Sequence, residues 1–452
     1  MNQLKSLFEQ NVNGVSCDSL IIEQNGKIIY EKYKKPFGAA VLHRMFSIAK
    51  SYTSLAVGAL YAEGKLNLND RITEYFPEYR NLALSEELLS TTIRNLLMMR
   101  TPYAKTTYKI HKTDDWVKSF FEVPADHKPG MCFQYDTSAA LVLGALVKRV
   151  SGKGVLDYLR EVFLHEIGFS KDAYLLRTPS GDEDTGSGLM ALPRDLLFTG
   201  EFLLAVLCGD FSDRYPDLIK ENRFDVSFWG KYSQYIKKAM QYQSATVHAG
   251  KTRSERCGYG YQFWMLPKGG VMMYGMGGQY LLLYPEKKSI IVTSSDTQSE
   301  AGGTQRILDA AEEYVFTGEA DDISLGGHAH KSDRKPPYGR FRITKENTPF
   351  LSYTFSPEEL ILEGREQIYH LPCSEDGYSP VTEWNKGLLL CARGEQMRDG
   401  SYYIHARLVG ERLGAVHIML CEENGRALLY LRCVEEVALP EFNGFYDSER
   451  EE

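Results

Sequence analysis

Ser47-Ile48-Ala49-Lys50-Ser51-Tyr52-Thr53-Ser54-Leu55-Ala56-Val57-Gly58-Ala59-Leu60 is almost wholly small or apolar. A run of that length with its one charge in the first turn predicts a buried helix. Residues three apart share a helix face, so the Ser47 hydroxyl and the Lys50 amine are expected to be neighbours at the N-terminal end. A lysine held against an apolar face loses hydration, which lowers its pKa and lets it take a proton from serine. Taken alone, the same residues also fit a serine N-cap followed by a surface lysine. A second Ser-x-x-Lys, Ser332-Asp333-Arg334-Lys335, lies in a charged stretch ending in Pro336-Pro337, where no buried helix can hold the pair together.

Upstream of the helix, Asp18 to Gln24 and Lys27 to Tyr30 flank Asn25-Gly26, the strongest short signal for a β-hairpin. Helical signals dominate roughly 47 to 240, including 138–150, 155–163 and 193–204, the last opened by Pro193. Strand-like runs return at 270–274, 280–284 and 289–294, followed by a helix over 304–316. Strands at both ends with helices between predict an α+β domain over 1–316 whose terminal strands share one sheet and whose helical insert packs beside it. Paired glycines, charges and Pro336-Pro337 mark 317–340 as a linker. Short β-rich runs at 388–392, 402–408, 415–420 and 427–432 predict a small all-β barrel or sandwich over 341–452.

Hydrophobic residues at 43% and charged residues at 25% are ordinary for a globular chain of 452 residues. A formal net charge of −8 gives no footprint for nucleic acid or an anionic membrane, so neither is expected as a partner. The first ten residues lack an uninterrupted apolar core, and no segment has transmembrane length, so a cytoplasmic location is expected. Eight scattered cysteines without Cys-x-x-Cys spacing read as buried thiols, and no metal is expected. Gly250-Lys251-Thr252 lacks the glycine and strand of a phosphate loop, and His328-Ala329-His330 sits in the linker without further ligands nearby.

Two other stretches carry chemistry. Pro129 to Thr137 leads straight into the apolar helix that starts at Ser138, and a tyrosine at such a junction, Tyr135, can point into a cleft. Near a lysine its phenol is expected to ionise enough to shuttle protons, although the residue also fits simple packing. Tyr274-Gly275-Met276-Gly277-Gly278-Gln279-Tyr280 is a glycine cluster inside a strand pattern, which marks either a bulge or the close approach of a backbone or ligand.

In that order, Ser47-Ile48-Ala49-Lys50, Tyr135 and Tyr274 to Gln279 resemble the three motifs of the serine β-lactamase and penicillin-binding-protein-like family. The nearest likeness is to its class C β-lactamase, esterase and 6-aminohexanoate-dimer hydrolase branch. Supporting text includes Glu63 to Asp70, Thr92 to Leu97, Ser187 to Leu196 and Gly258 to Trp264, so the resemblance covers about residues 17 to 316. It implies a β-lactamase-like antiparallel sheet with flanking helices, and a hydrolase needing no cofactor. It further implies Ser47 as acylated nucleophile, Lys50 as base and Tyr135 as second proton-transfer group. The backbone N–H groups of Ser47 and Gln279 would form the oxyanion hole, with Thr137, Met276, Gly277 and Gly278 against the substrate. Two departures shape the expected chemistry. Thr137 stands where β-lactam hydrolases carry Asn, and Met276 stands at the place of the cation that binds a substrate carboxylate. A charge-assisted bond of that kind is worth roughly 1.5–3 kcal/mol. An ester or amide of an uncharged acyl group is therefore the expected substrate. A β-lactamase or D-alanyl-D-alanine carboxypeptidase, and a sensor that is acylated without turnover, are the alternatives.

Overall fold

A computed structural model describes residues 4–5, 8, 16–34, 37–220, 223–297, 302–316, 334–375, 379–385, 387–409, 414–423, 425–435 and 440–451. Asn25 and Gly26 take positive φ, 52° and 74°. That pair of conformations turns β1 (Ser16–Gln24) back onto β2 (Lys27–Tyr33). A small sheet follows from β3 (His43–Arg44), β4 (Tyr174–Leu175) and β5 (Leu189–Ala191), in the order β3-β5-β4. The main sheet is completed by β6 (Trp264–Met265), β7 (Val271–Gly275), β8 (Gln279–Tyr284) and β9 (Ser289–Asp296), in the order β2-β1-β9-β8-β7-β6. The N-terminal hairpin and the later strands thus share one antiparallel sheet, with Leu20 opposite Thr293. β8 is buried at every position, which is why it reads as an unbroken apolar run rather than an alternating one.

Among the described residues five longer helices pack around this sheet: α1 (Ile48–Ala62), α2 (Thr137–Ser151), α3 (Pro193–Cys208), α4 (Val226–Ala239) and α5 (Gly303–Val315). α1 is central. It touches α2, α4 and β7, and every one of its residues except Tyr61 is buried. Polar side chains on such a helix need partners inside the protein. Ser51 Oγ donates to Gln262 O at 2.6 Å, the Tyr52 and Thr199 hydroxyls meet at 2.7 Å, and Ser54 Oγ meets the Tyr235 hydroxyl at 2.9 Å.

Glu23 is a buried acid on β1, 1% exposed, facing the carboxyl of Glu201. Burial first, then a carboxyl–carboxyl hydrogen bond with Glu201 and that group's like charge, push its pKa up to about 8. The folded state holds this proton more tightly than the unfolded one, so stability drains away as pH rises from about 4.5 to about 8. Glu23→Gln is expected to raise Tm by several degrees at pH 8.5 and to leave it nearly unchanged at pH 4.5. Calorimetry at the two pH values checks this, and an equal gain at both would show that the carboxyl is not the cause.

Beyond α5 the described residues form ten strands: β10 (Gly339–Ile343), β11 (Phe350–Phe355), β12 (Glu359–Gly364), β13 (Ile368–Pro372), β14 (Thr382–Asn385), β15 (Leu388–Gln396), β16 (Tyr402–Val409), β17 (Gly414–Glu423), β18 (Arg426–Glu435) and β19 (Gly444–Arg450). They make one antiparallel sheet in the order β13-β12-β11-β10-β19-β18-β17-β16-β15-β14. The terminal strands β13 and β14 approach each other, so the sheet is a nearly closed barrel around Phe341, Leu362, Ile404 and Leu429. β10 begins at Gly339 and overlaps the end of the stretch read as linker. Residues 317–333, including His328, His330 and Ser332, lie outside the described residues. Not every cysteine is buried as expected: Cys208 is exposed.

The barrel is seated on the first unit. Met131 and Cys132 pack with Met419, Cys421, Leu428, Tyr430 and Phe445 in one apolar cluster. At its edge Arg100 reaches Asp399 at 2.5 Å, both side chains less than a tenth exposed. No helix among the described residues is long and apolar enough to cross a membrane.

Candidate active site

Ser47 sits at the end of a tight turn that leads from β3 into α1. Met45 N donates to Leu189 O at 2.7 Å, and the N–H groups of Ile48 and Ala49 fold back onto Met45 O and Phe46 O. Phe46 has φ 46°. A left-handed conformation costs a non-glycine residue roughly 1–2 kcal/mol, and here it turns the chain so that Ser47 starts the helix half-exposed. Ser47 is the N-cap residue, but its hydroxyl does not cap the helix. It accepts instead from Lys50 Nζ at 2.9 Å. The Ser47 N–H has no backbone acceptor among the described residues.

Lys50 is 1% exposed. Its amine donates also to Gly186 O at 2.6 Å and lies 5.0 Å from the centre of the Tyr135 ring. Burial lowers its pKa to about 7, against the pull of the negative charges of Asp184 and Asp136 and with the help of Lys109. Near neutral pH a large share of this amine is therefore uncharged and has a free lone pair.

Tyr135 is brought to the same place by the loop before α2. Its ring stacks on Trp264 at 5.6 Å and meets Tyr259 edge-on at 6.4 Å. Burial pushes the phenol's pKa up, and the interaction with the Ser47 hydroxyl offsets only part of that. Burial thus works against the expectation of a readily ionised tyrosine, because the aromatic wall removes the water that a phenolate needs, and it favours a protonated phenol beside the partly uncharged amine of Lys50. Asp136, fully buried, N-caps α2 by accepting from Ser138 N at 2.9 Å and also accepts from Thr101 Oγ1 at 3.1 Å. Burial raises its pKa to about 6 despite those bonds and the nearby Lys50.

Thr137 is the first residue of α2, and its N–H donates to Thr106 Oγ1 at 3.1 Å. Its methyl group packs against Gly186, where an added Cβ would come within 2.6 Å of Thr137 Cγ2. Thr137 thus wedges the loop whose carbonyl holds Lys50. On the opposite side, β7 passes close to the Ser47 turn: a Cβ on Gly275 would lie 2.1 Å from Met45 O, so only glycine fits there.

The remaining residues singled out from the sequence are placed differently. Gly277 and Gly278 take φ 88° and 92° and close the β7–β8 turn. Met276 is at the tip of that turn, 48% exposed. Gln279 is buried. It starts β8, an interior strand between β7 and β9, and its side chain donates to Ser295 O at 2.6 Å and accepts from Ser295 N at 3.2 Å. These side-chain bonds tie Gln279 to β9. β6 pairs with β7 only at Val271 and Met272, so among the described residues Tyr274 and Gly275 at the end of β7, and Met276 just beyond it, have no strand on that side, next to the Ser47 turn.

Sequence reasoning passed over Gly186, Asp136, Trp264 and Arg44. An aspartate just before an apolar helix is an N-cap signal that would have found Asp136. Arg44 lies over the Phe46 ring at 4.8 Å and donates to Ser187 O and Oγ, both at 3.3 Å, with Asp184 3.9 Å away.

Comparisons with known proteins bear on the family and the fold. A family model described as Beta-lactamase matches residues 4–315. Protein flp of Staphylococcus aureus strain COL is 24% identical over 171 residues, 34% of each chain, so the match spans about a third of the length of the first curated relatives. The 6-aminohexanoate-dimer hydrolase of Paenarthrobacter ureafaciens is 21% identical over 305 residues, 64% of this chain and 74% of that one. The octameric penicillin-binding protein homologue from Pyrococcus abyssi shares the fold, with a TM-score of 0.52 at 17% identity over 99% of both chains. The chain belongs to the Beta-lactamase family.

Proposed function

We propose that this protein is a serine hydrolase that cleaves an ester or amide bond of a small, uncharged acyl substrate through a covalent intermediate on Ser47. The observation that carries this reading is the 2.9 Å contact between Lys50 Nζ and Ser47 Oγ, with the amine's pKa lowered to about 7. Neutral Lys50 takes the hydroxyl proton as Ser47 Oγ attacks the acyl carbon. Tyr135, kept protonated, passes a proton to the leaving oxygen or nitrogen and recovers it through Lys50. The Ser47 N–H and a main-chain N–H on the open edge of β7 near Tyr274–Met276 receive the developing oxyanion. Water then attacks the Ser47 ester by the same proton path in reverse. The similarity to a 6-aminohexanoate-dimer hydrolase over 64% of the chain supports amide or ester cleavage.

Intact-mass analysis after exposure to a panel of activated esters, amides and β-lactams tests the reading. A transient acyl adduct is expected on the parent protein and none on Ser47→Ala. An adduct that forms equally on Ser47→Ala would sink it, and one that never hydrolyses would favour a sensor.

The uncharged substrate class is supported by Met276, a thioether at the turn beside the site, and by Arg44, whose charge is offset by Asp184 at 3.9 Å. A neutral ester or amide is expected to show a higher kcat/KM than a β-lactam of similar size, because the β-lactam's carboxylate would be desolvated without a partner. Met276→Lys should narrow that preference by roughly tenfold or more. Steady-state kinetics on both proteins decide this, and rapid β-lactam hydrolysis by the parent with no gain from the lysine would restore the β-lactamase reading.

A further inference from the structure

A large cleft of about 670 Å³ lies away from Ser47, between the first unit and the barrel. Its near wall includes the turn Pro267 to Gly270, which enters β7 at the end opposite Gly275. The length of β7 therefore separates it from the Ser47 turn by roughly 13 Å. The far wall comes from β15, β16 and β17 and the turn after β15. A volume in the range of ordinary small-molecule sites, at a junction of two folding units, is the usual setting of a ligand pocket.

Charge is what distinguishes it. The chain as a whole carries −8, yet among the described residues this cleft is lined by Arg253, Arg256, Lys268, Arg393 and Arg398 against a single carboxylate, Glu395. Arg253 is neutralised by Asp309 at 2.5 Å. Three of the others are held without being neutralised. Arg256 Nε donates to Gly250 O at 3.1 Å, Lys268 sits over the Phe316 ring at 4.8 Å, and Arg398 lies over the Tyr242 ring at 5.5 Å. Among the described carboxylates none is within ion-pair distance of these three. Each is thus oriented by a partner that leaves its charge available. On the barrel side His417 Nδ1 is 2.6 Å from the Tyr403 hydroxyl, and burial together with His405 and Arg256 keeps the imidazole uncharged. Between the charges the surface is apolar and adaptable, built from Met265, Leu266, Val271 and Met397.

We propose that this cleft binds a small organic anion, a carboxylate or phosphate on an apolar body, with Arg256 and Arg398 meeting the anionic group and the methionine-lined wall covering the rest. Guanidinium forks suit both oxyanions. Because its walls come from both units, an occupant adds contacts across the junction and stabilises the folded chain.

Thermal-shift and calorimetric titrations of the full chain test this with 4-phenylbutyrate, phenyl phosphate and the neutral 4-phenyl-1-butanol. The anions are expected to raise Tm saturably and the alcohol to leave it unchanged. The stronger of the two anions tells a carboxylate source from a phosphate source. Arg256→Gln with Arg398→Gln, both exposed side chains, should weaken the preferred anion by about tenfold or more. Lys268→Gln supplies a second variant should the pair lower the unliganded Tm. Ser47→Ala should bind as the parent does, which separates this site from the acylation site. Equal binding by the parent and both arginine and lysine variants, equal binding of the alcohol and the anions, or loss of binding in Ser47→Ala would overturn the proposal.

Discussion

Lys50→Met is expected to lower turnover of a short-chain aryl ester by at least about a hundredfold, the usual scale for losing a positioned base, while leaving the protein at least as stable. The two effects have one cause. Lys50 is buried beneath the Ser47 turn, and its burial lowers the amine's pKa to about 7. The neutral amine is what can take the Ser47 proton, so acylation by the parent should climb with pH through about 7 and level off above it. For stability the sign follows from proton binding. Between about pH 7 and 10.5 the unfolded lysine is protonated and the folded one is not, so the stability of the parent rises with pH across that window. Methionine removes both the desolvation cost and this pH slope. It also leaves Gly186 O without its donor, which limits the gain in Tm to a few degrees. Steady-state rates and Tm from pH 6 to 10 check the two halves together. A variant that is slow because it is unfolded, or one with the pH profile of the parent, would refute the role given to the amine. Tyr135→Phe should also cost about a hundredfold, and the double variant much less than the product of the two, since the groups act as one unit.

The second large effect is expected at the seat of the barrel. Asp399→Ala should destabilise the chain by about 3–5 kcal/mol, the scale for leaving a buried charge unpaired. Arg100 is enclosed by Ser244 Oγ at 2.8 Å, Gln243 O at 2.8 Å and Gly130 O at 3.2 Å as well as by Asp399. The carboxylate in turn accepts from Ala245 N at 2.9 Å. Removing Asp399 therefore strands both a guanidinium and a backbone N–H, whereas Arg100→Met with Asp399→Leu removes both charges. That pair should recover a good part of the loss. Urea unfolding followed by tryptophan fluorescence measures both, and a loss below about 1 kcal/mol in Asp399→Ala would show that the pair is solvated and the barrel held mainly by the apolar cluster around Cys132 and Met419.

Much of the fold was open to reading because its signals are local. Asn25-Gly26 requires positive φ at both residues, and two apolar strands flank it, so the hairpin is written into four or five residues. α1 is apolar enough to be recognised as buried before anything is known of its neighbours. In the barrel, β15 to β18 are long and apolar and were legible, whereas β10, with alternating exposed arginines around Phe341, carries too weak a pattern in five residues to stand out from a linker. The strand count of that unit needed the pairing itself.

By itself the sequence determined that Ser47 and Lys50 are neighbours, because helix geometry brings residues three apart together whatever surrounds them. It also determined, through the order of its motifs, the family to which the chain belongs. Only the tertiary structure decided the ionisation of the site. Whether Lys50 and Tyr135 are charged depends on how much water their neighbours exclude, and those neighbours, Gly186, Trp264 and Asp136, come from three separate stretches of chain. The same holds for the strand order of the main sheet, which ties the Gln279 side chain to Ser295 on β9: it is set by pairing between distant segments rather than by any local run of residues.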